Sequence, residues 1–254
     1  MAAASPFDLT GRKALVTGAN TGIGQGIALA LAQAGATVVA AGRSGMDETL
    51  ELIAGAGGTA HALKVDLQQE GIATRVVAEA TELAGALDIL INNAGIIRRA
   101  DALDFSESDW DEVMNVNLKA TFFLCQAFAR AALAEGRGAR IVNIASLLSF
   151  QGGIRVASYT ASKSGLAGLT KLLACEWAGK GINVNAIAPG YVESNNTQAL
   201  RADAERNAAI LGRIPAGRWG KPSDIGGAAV FLASDAAAYM HGAVIPVDGG
   251  WLAR

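Results

Sequence analysis

Seven short apolar runs, at residues 13–17, 37–41, 60–65, 88–91, 140–144, 183–188 and 243–247, are interleaved with segments of helical periodicity. The helical spacing runs first through Ile27, Leu29, Leu31 and Ala32, then through 47–56, 71–84, 109–134, 158–178, 199–211 and 223–233. Strands that alternate with helices make βαβ units, whose strands lie parallel and are covered by helices on both faces. Such strands read as continuous apolar runs, and Leu90-Ile91 and Ile141-Val142 do so. The pattern predicts an α/β fold, a doubly wound parallel sheet of about seven strands. No Pro/Gly/Ser linker, charge block or repeat divides the chain, so residues 1–254 are read as one domain.

Composition excludes several function classes. The formal charge is −2, with 51% hydrophobic and 17% charged residues, which is too apolar for a disordered chain. Without a Lys/Arg cluster there is no basic footprint for nucleic acid. Residues 14–42 carry no charge, but Asn20, Thr21, Gln25, Gln33 and six glycines break any membrane-spanning run. The opening Met1-Ala2-Ala3-Ala4-Ser5-Pro6 has neither a basic start nor an apolar core of signal length, which points to a cytoplasmic protein. Cys125 and Cys175 lie in apolar helical patterns without metal-ligand spacing and are expected as buried free thiols. A small molecule is the partner these features leave.

The loop Thr17-Gly18-Ala19-Asn20-Thr21-Gly22-Ile23-Gly24 joins the first strand to the first helix. There a phosphate meets free helix amides and the positive end of the helix dipole. Gly18 permits a tight turn, Gly22 a close approach to pyrophosphate and Gly24 close packing of helix on strand. The spacing is GxxxGxG rather than GxGxxG, so its position after a strand carries the nucleotide reading. The second strand ends Gly42-Arg43, where an acid would select NAD. Glycine removes that carboxylate, and arginine offers a guanidinium to a 2′-phosphate, which favours NADP(H) with NAD(H) still open. Asp66 ends the third strand, either as acceptor for the adenine amino group or as cap of the next helix.

Tyr159 and Lys163 stand one helical turn apart, so phenol and ammonium share a face. A neighbouring cation favours phenolate and is expected to lower the tyrosine pKa toward useful acid/base work. Ser146 follows the fifth strand, where its hydroxyl can hydrogen-bond a substrate oxygen beside Tyr159.

Together, Thr17 to Gly24, Asn92-Asn93-Ala94-Gly95, Ser146, Tyr159-x-x-x-Lys163 and Pro189-Gly190 resemble the short-chain dehydrogenase/reductase family over essentially the whole chain. The resemblance implies that Tyr159 exchanges the proton, Ser146 orients the carbonyl, and Lys163 binds the nicotinamide ribose while lowering the tyrosine pKa. Asn117 looks like the family's fourth member, which holds a water that relays protons through Lys163. It further implies a cofactor wall of Asn93, Ala94 and Gly95, adenine contacts from Asp66 and Leu67, phosphate contacts from Asn20 to Gly24, and nicotinamide contacts from Pro189, Gly190, Val192 and Ser194. Ser194 replaces the family's usual threonine, and Asn20 stands where many NADP users place a basic residue. A homotetramer and a metal-free reaction are implied too.

Residues 92–99, 149–156, 195–197 and 247–254 resemble the sugar-acid dehydrogenases of that family, the gluconate and 2-dehydro-3-deoxygluconate group. Independently, Arg98, Arg99 and Arg155 follow the fourth and fifth strands, on the sheet edge where doubly wound folds bind ligands. At least one of them is expected to bind a carboxylate, with Arg98 and Arg155 foremost. Gln151, Asn195 and Asn196 offer amides to sugar hydroxyls. The expected reaction is hydride exchange between a nicotinamide cofactor and a secondary alcohol or ketone of a hexonic acid. The alternatives are a reductase of a neutral polyol or 3-oxoacyl substrate, and a nicotinamide-binding regulator without turnover.

Overall fold

The computed structural model describes residues 5–254. Met1 to Ala4, which carry much of the N-terminal expectation above, lie outside the described residues. The seven strands are β1 Lys13–Thr17, β2 Thr37–Gly42, β3 Thr59–Lys64, β4 Ile89–Asn92, β5 Ala139–Ile144, β6 Ile182–Pro189 and β7 Val244–Val247. They form one sheet in the order β3-β2-β1-β4-β5-β6-β7, and every pairing is parallel. The chain winds outward from β1 in both directions, so the order reverses between β1 and β4. A crevice opens there, outside the carboxyl ends of both strands.

Alternate residues of each strand serve opposite layers. Val16, Val38, Ile91 and Ile187 pack on Ile27 and Leu31 of α1 (Gly22–Gln33) and on Ile225 and Leu232 of α9 (Pro222–Ala233). Leu15, Val39, Leu90, Ile141 and Val184 face α3 (Ile72–Ala84), α5 (Thr121–Ala134) and α6 (Ala157–Trp177). The remaining helices are α2 (Asp47–Gly55), α4 (Glu107–Met114), α7 (Gln198–Ala202) and α8 (Ala204–Leu211).

Three expectations need correction. The helix expected over 109–134 is interrupted by a π-helical stretch, Asn115–Ala120. Apolar periodicity passes through the interruption unchanged, because one extra residue in a turn shifts the stripe too little to break it. The segment 199–211 divides at Asp203, whose carboxylate caps α8 by accepting from the Arg206 N–H at 3.0 Å. Of the two thiols only Cys125 is buried, and burial pushes its pKa up to about 12. Cys175 is exposed, because Leu173 and Ala174 take the inward positions of that turn of α6.

Candidate active site

Side chains stitch the two loops of the crevice together. Thr17 Oγ1 accepts from the backbone N–H groups of Asn93 and Ala94, each at 3.1 Å, and Asn93 Nδ2 donates to the carbonyls of Thr17 and Gly18 at 3.0 Å. Gly18 and Gly22 both adopt positive φ, +65° and +57°, a region that favours glycine. At Gly24 there is no room for a Cβ against the Gly18 carbonyl and Asn93. The first turn of α1 carries no acidic residue, which leaves its amides and dipole available to an anion.

A cavity of about 250 Å³ extends toward β2 and β3 and is lined by Gly42, Arg43, Asp66 and Leu67. Gly42 cannot carry a longer side chain without displacing the Met46 methyl and Asn20. Asn20 Nδ2 donates to Ser44 Oγ at 2.7 Å, bringing a hydroxyl beside Arg43 that the sequence reading passed over. Asp66 Oδ1 accepts from the Gln68 N–H at 3.0 Å, and α3 begins only at Ile72 after Gly71, so Asp66 is not its cap.

The main cleft, about 360 Å³, is lined by the residues Asn20 to Gly24, Asn93 to Gly95, Ser146, Tyr159, Lys163, Pro189, Gly190, Val192 and Ser194 to Asn196. It brings the glycine loop, Ser146, Tyr159, Lys163 and the two asparagines into one space, whereas Asn117 is buried behind its wall. Glycines where backbone must approach, amides without acids, and hydroxyl and ammonium groups at the floor fit a nicotinamide dinucleotide. Four further lining residues, Ile96, Ile144, Ala145 and Thr197, were not assigned to the site from sequence. Thr197 Oγ1 donates to the Val192 carbonyl at 2.7 Å and accepts from the Ser194 N–H at 3.0 Å, which shapes the turn that presents Asn195 and Asn196.

Ser146 caps a 3-10 turn at Leu147–Ser149 by accepting from the Leu148 N–H at 3.2 Å, and it lines the cleft together with Tyr159 and Lys163. Burial nevertheless keeps the Tyr159 pKa above its ordinary value, against the lowering influence of Ser146 and of the Arg99 charge. The expected lowering by Lys163 is therefore not met in this geometry. The lysine Nζ donates to the Ile144 carbonyl at 2.6 Å and lies 5.6 Å from the tyrosine ring centroid, and burial brings its own pKa down to about 8.

Asn117 sits in the π-helical stretch, and its side-chain amide bonds the loop after β4 and α6. Its Oδ1 accepts from the Ile96 N–H at 2.8 Å, and its Nδ2 donates to the Ile96 carbonyl at 2.9 Å and to Ser162 Oγ at 3.3 Å. The residue clamps the loop after β4 against α6.

The substrate candidates separate by charge pairing. Arg98 is held by Glu112 at 2.7 Å and Asp109 at 3.5 Å, both on α4, and Arg155 pairs with Asp101 at 3.3 Å on an exposed loop. Acids of neighbouring segments capture both guanidinium groups, and none of Arg98, Arg99 and Arg155 is among the residues that line the cleft. Gln151 also turns aside, accepting from the Trp251 indole N–H at 3.2 Å. Arg99 has no acidic partner among the described residues; it donates to the Asn196 carbonyl at 2.8 Å and its charge reaches Tyr159.

Comparison with known proteins agrees with this geometry. A family model described as enoyl-(acyl carrier protein) reductase matches residues 18–252. The 2-dehydro-3-deoxy-D-gluconate 5-dehydrogenase of Escherichia coli (strain K12) is 58% identical over 254 residues, covering 98% of this chain and 99% of the relative. A crystal structure of an Agrobacterium tumefaciens protein with bound NADP is 67% identical, with a TM-score of 0.93 over 98% of this chain and all of that one. A gluconate 5-dehydrogenase from Burkholderia cenocepacia J2315, in complex with NADP and tartrate, is 38% identical with a TM-score of 0.92, covering 98% of each chain.

Proposed function

The chain belongs to the short-chain dehydrogenase/reductase family, and on that premise we propose that it reduces a keto group of a hexonic sugar acid, reversibly, with NADP(H) as the preferred cofactor. The observation that carries the reading is the convergence of Ser146, Tyr159 and Lys163 on the cleft walled by the glycine loop. Asn93 to Gly95 and Pro189 to Ser194 would hold the nicotinamide, which when bound would supply or accept the hydride. Ser146 holds the substrate oxygen. Tyr159, kept protonated at neutral pH by burial, donates its proton to that oxygen as the carbonyl carbon becomes a carbinol, and takes it back in the oxidation. Lys163 supports the tyrosine from below, and Asn117 fixes the Ile96 loop that borders the cleft.

Arg99 is the arginine best suited to the substrate carboxylate, since Arg98 and Arg155 are already neutralised by acids of the chain. Asn195 and Asn196 face the cleft beside it and suit sugar hydroxyls. Arg43 and Ser44 offer a cation and a hydroxyl to a 2′-phosphate, and Gly42 carries no acid of the kind that would select NAD. The whole chain acts as a single domain carrying both cofactor and catalytic residues. A cytoplasmic location suits the reading, and no helix of the described residues is long and apolar enough to cross a membrane. Homotetrameric assembly is part of the same proposal; exposed apolar side chains on α4, α5 and α6, including Trp110, Phe123 and Leu172, support it.

Initial rates with 5-ketogluconate, 2,5-diketo-3-deoxygluconate and a neutral ketose, each with NADPH and NADH, test the reading. The keto acids with NADPH are expected to be fastest. Arg99→Ala is expected to raise KM for the acids about tenfold or more while moving the neutral ketose little, as for loss of a charge-assisted hydrogen bond. Equal effects on acid and ketose would remove Arg99 from the carboxylate, and silence on every acid would overturn the substrate class.

A further inference from the structure

The segment that carries the cleft's two asparagines leads into α7 and α8, and its far side is fastened by the C-terminus. Asp248 folds residues 248–252 into a compact turn, Oδ1 accepting from Gly250 N–H and Oδ2 from Leu252 N–H, both at 2.9 Å. Gly249 and Gly250 supply positive φ of +65° and +89° for that turn. It buries the Trp251 ring under Arg213, whose guanidinium lies 4.1 Å from the ring centroid, and against Tyr191 at 4.6 Å. Arg254 donates to the Gly212 carbonyl at 2.8 Å. The contacts to Arg213 and Gly212 fall just past the end of α8, and Tyr191 lies just past the end of β6.

On its other side the same indole reaches the catalytic loop. Trp251 Nε1 donates to Gln151 Oε1, and the ring shares one apolar cluster with Leu147, the residue after Ser146. We propose that Trp251 is a positioning residue: the C-terminal turn is a strap that ties the helical cap over the substrate side of the cleft to the loop bearing Ser146. The indole N–H on Gln151 is its fastening. The strap lies away from the glycine loop; its ring also packs on Tyr191, beside the residues assigned to the nicotinamide, and a variant that keeps the ring leaves that packing in place while removing only the fastening to the Ser146 loop. Gln151 acts as the acceptor of the fastening.

Three single variants separate this from other roles. Trp251→Phe keeps the ring and removes the donor, Gln151→Leu removes the acceptor, and Gln151→Glu keeps an acceptor while removing the amide donors. Trp251→Phe and Gln151→Leu are expected to raise the substrate KM about fivefold, with kcat within about twofold and NADPH affinity unchanged, as for a lost hydrogen bond. Both are expected to speed tryptic cleavage within the cap, at Arg201 or Arg206, while Gln151→Glu matches the wild type in KM and in proteolysis. A wild-type KM and cleavage rate in Trp251→Phe would overturn the proposal. So would a Gln151→Glu variant as impaired as Gln151→Leu, which would make Gln151 a substrate contact. The proposal rests on the oxidoreductase reading for its kinetic arm alone. Assay with whichever carbonyl compound the wild type turns over, together with proteolysis, keeps failure of the sugar-acid reading distinct from failure of the strap.

Discussion

At the scale of single residues the site stores two opposed protonation costs. Burial lowers Lys163 from 10.5 to about 8, whereas it raises the Tyr159 phenol above its ordinary value. Between pH 8 and 10.5 the unfolded chain binds a proton at this lysine that the folded one has released, so its contribution to stability rises with pH through that window. Below it, the folded protein bears the cost of a buried ammonium with one carbonyl partner. Lys163→Met is therefore expected to be more stable than wild type at pH 7, by about 1–3 kcal/mol after the lost hydrogen bond to Ile144 is offset. The advantage shrinks as pH rises past 8. Urea unfolding at fixed protomer concentration from pH 7 to 9.5 reads this directly. A variant no more stable at pH 7, or a difference flat across the range, would contradict the burial argument. The residues of this site were legible by type and spacing, as with Tyr159 and Lys163. Their partners were not, because a guanidinium goes to whichever acid the fold brings near. Nothing local marks Arg98 as bound for Glu112 and Arg99 as spared.

At the scale of elements, termini decide as much as interiors. All seven strands were legible from their apolar runs, since a doubly covered strand needs no alternation to betray it. The interrupted helices were not, because the break at Asp203 and the π-helical stretch at Asn115–Ala120 depend on a cap and an extra residue that leave hydrophobic spacing nearly intact. Helix α9 shows what a cap contributes. Its backbone approaches α1 closely: a Cβ on Gly26 would strike Pro222, and one on Gly226 would strike Ala30. Asp224 fixes its start by accepting from the Lys221 N–H at 2.7 Å and from Arg218 at 2.6 and 3.1 Å, and these bonds bring its carboxyl down to about 2. The Arg218 pair is half-exposed and screened, so most of the value lies in the cap. Asp224→Ala is expected to cost about 1–2 kcal/mol at pH 7. The folded pKa lies below the unfolded one, so that contribution is complete above about 3.8 and is lost as pH falls toward 2. Denaturation of wild type and variant at pH 7, 5 and 3 checks both statements; equal stability at pH 7 would leave the cap without energetic weight.

At the scale of the whole molecule, the sheet is covered on both faces but the covering layer is not itself covered. Trp110 on α4, Phe123 on α5 and Leu172 on α6 are each at least 40% exposed. A concavity of about 1090 Å³ lies between α3 and α5 with Phe123 among its lining residues, apart from the catalytic cleft. Single exposed apolar residues are ordinary on a soluble surface, but several on consecutive helices, flanking a broad groove, are what a subunit interface leaves exposed on an isolated protomer. The same helices carry Asn117's π-helical stretch and the Tyr159–Lys163 turn, so a partner packed on them would stiffen the catalytic floor from behind. Light scattering on a sizing column is expected to give four times the 25.8 kDa protomer mass. Leu172→Glu, which places a charge on the outer face of α6 without touching the cleft, is expected to shift that mass to dimer or monomer and to lower kcat more than NADPH affinity. Because an unpaired carboxylate buried at an interface costs several kcal/mol, a true contact cannot absorb it silently. A wild-type species of protomer mass would dismiss assembly altogether. A Leu172→Glu tetramer with full activity would move the interface off this face of α6.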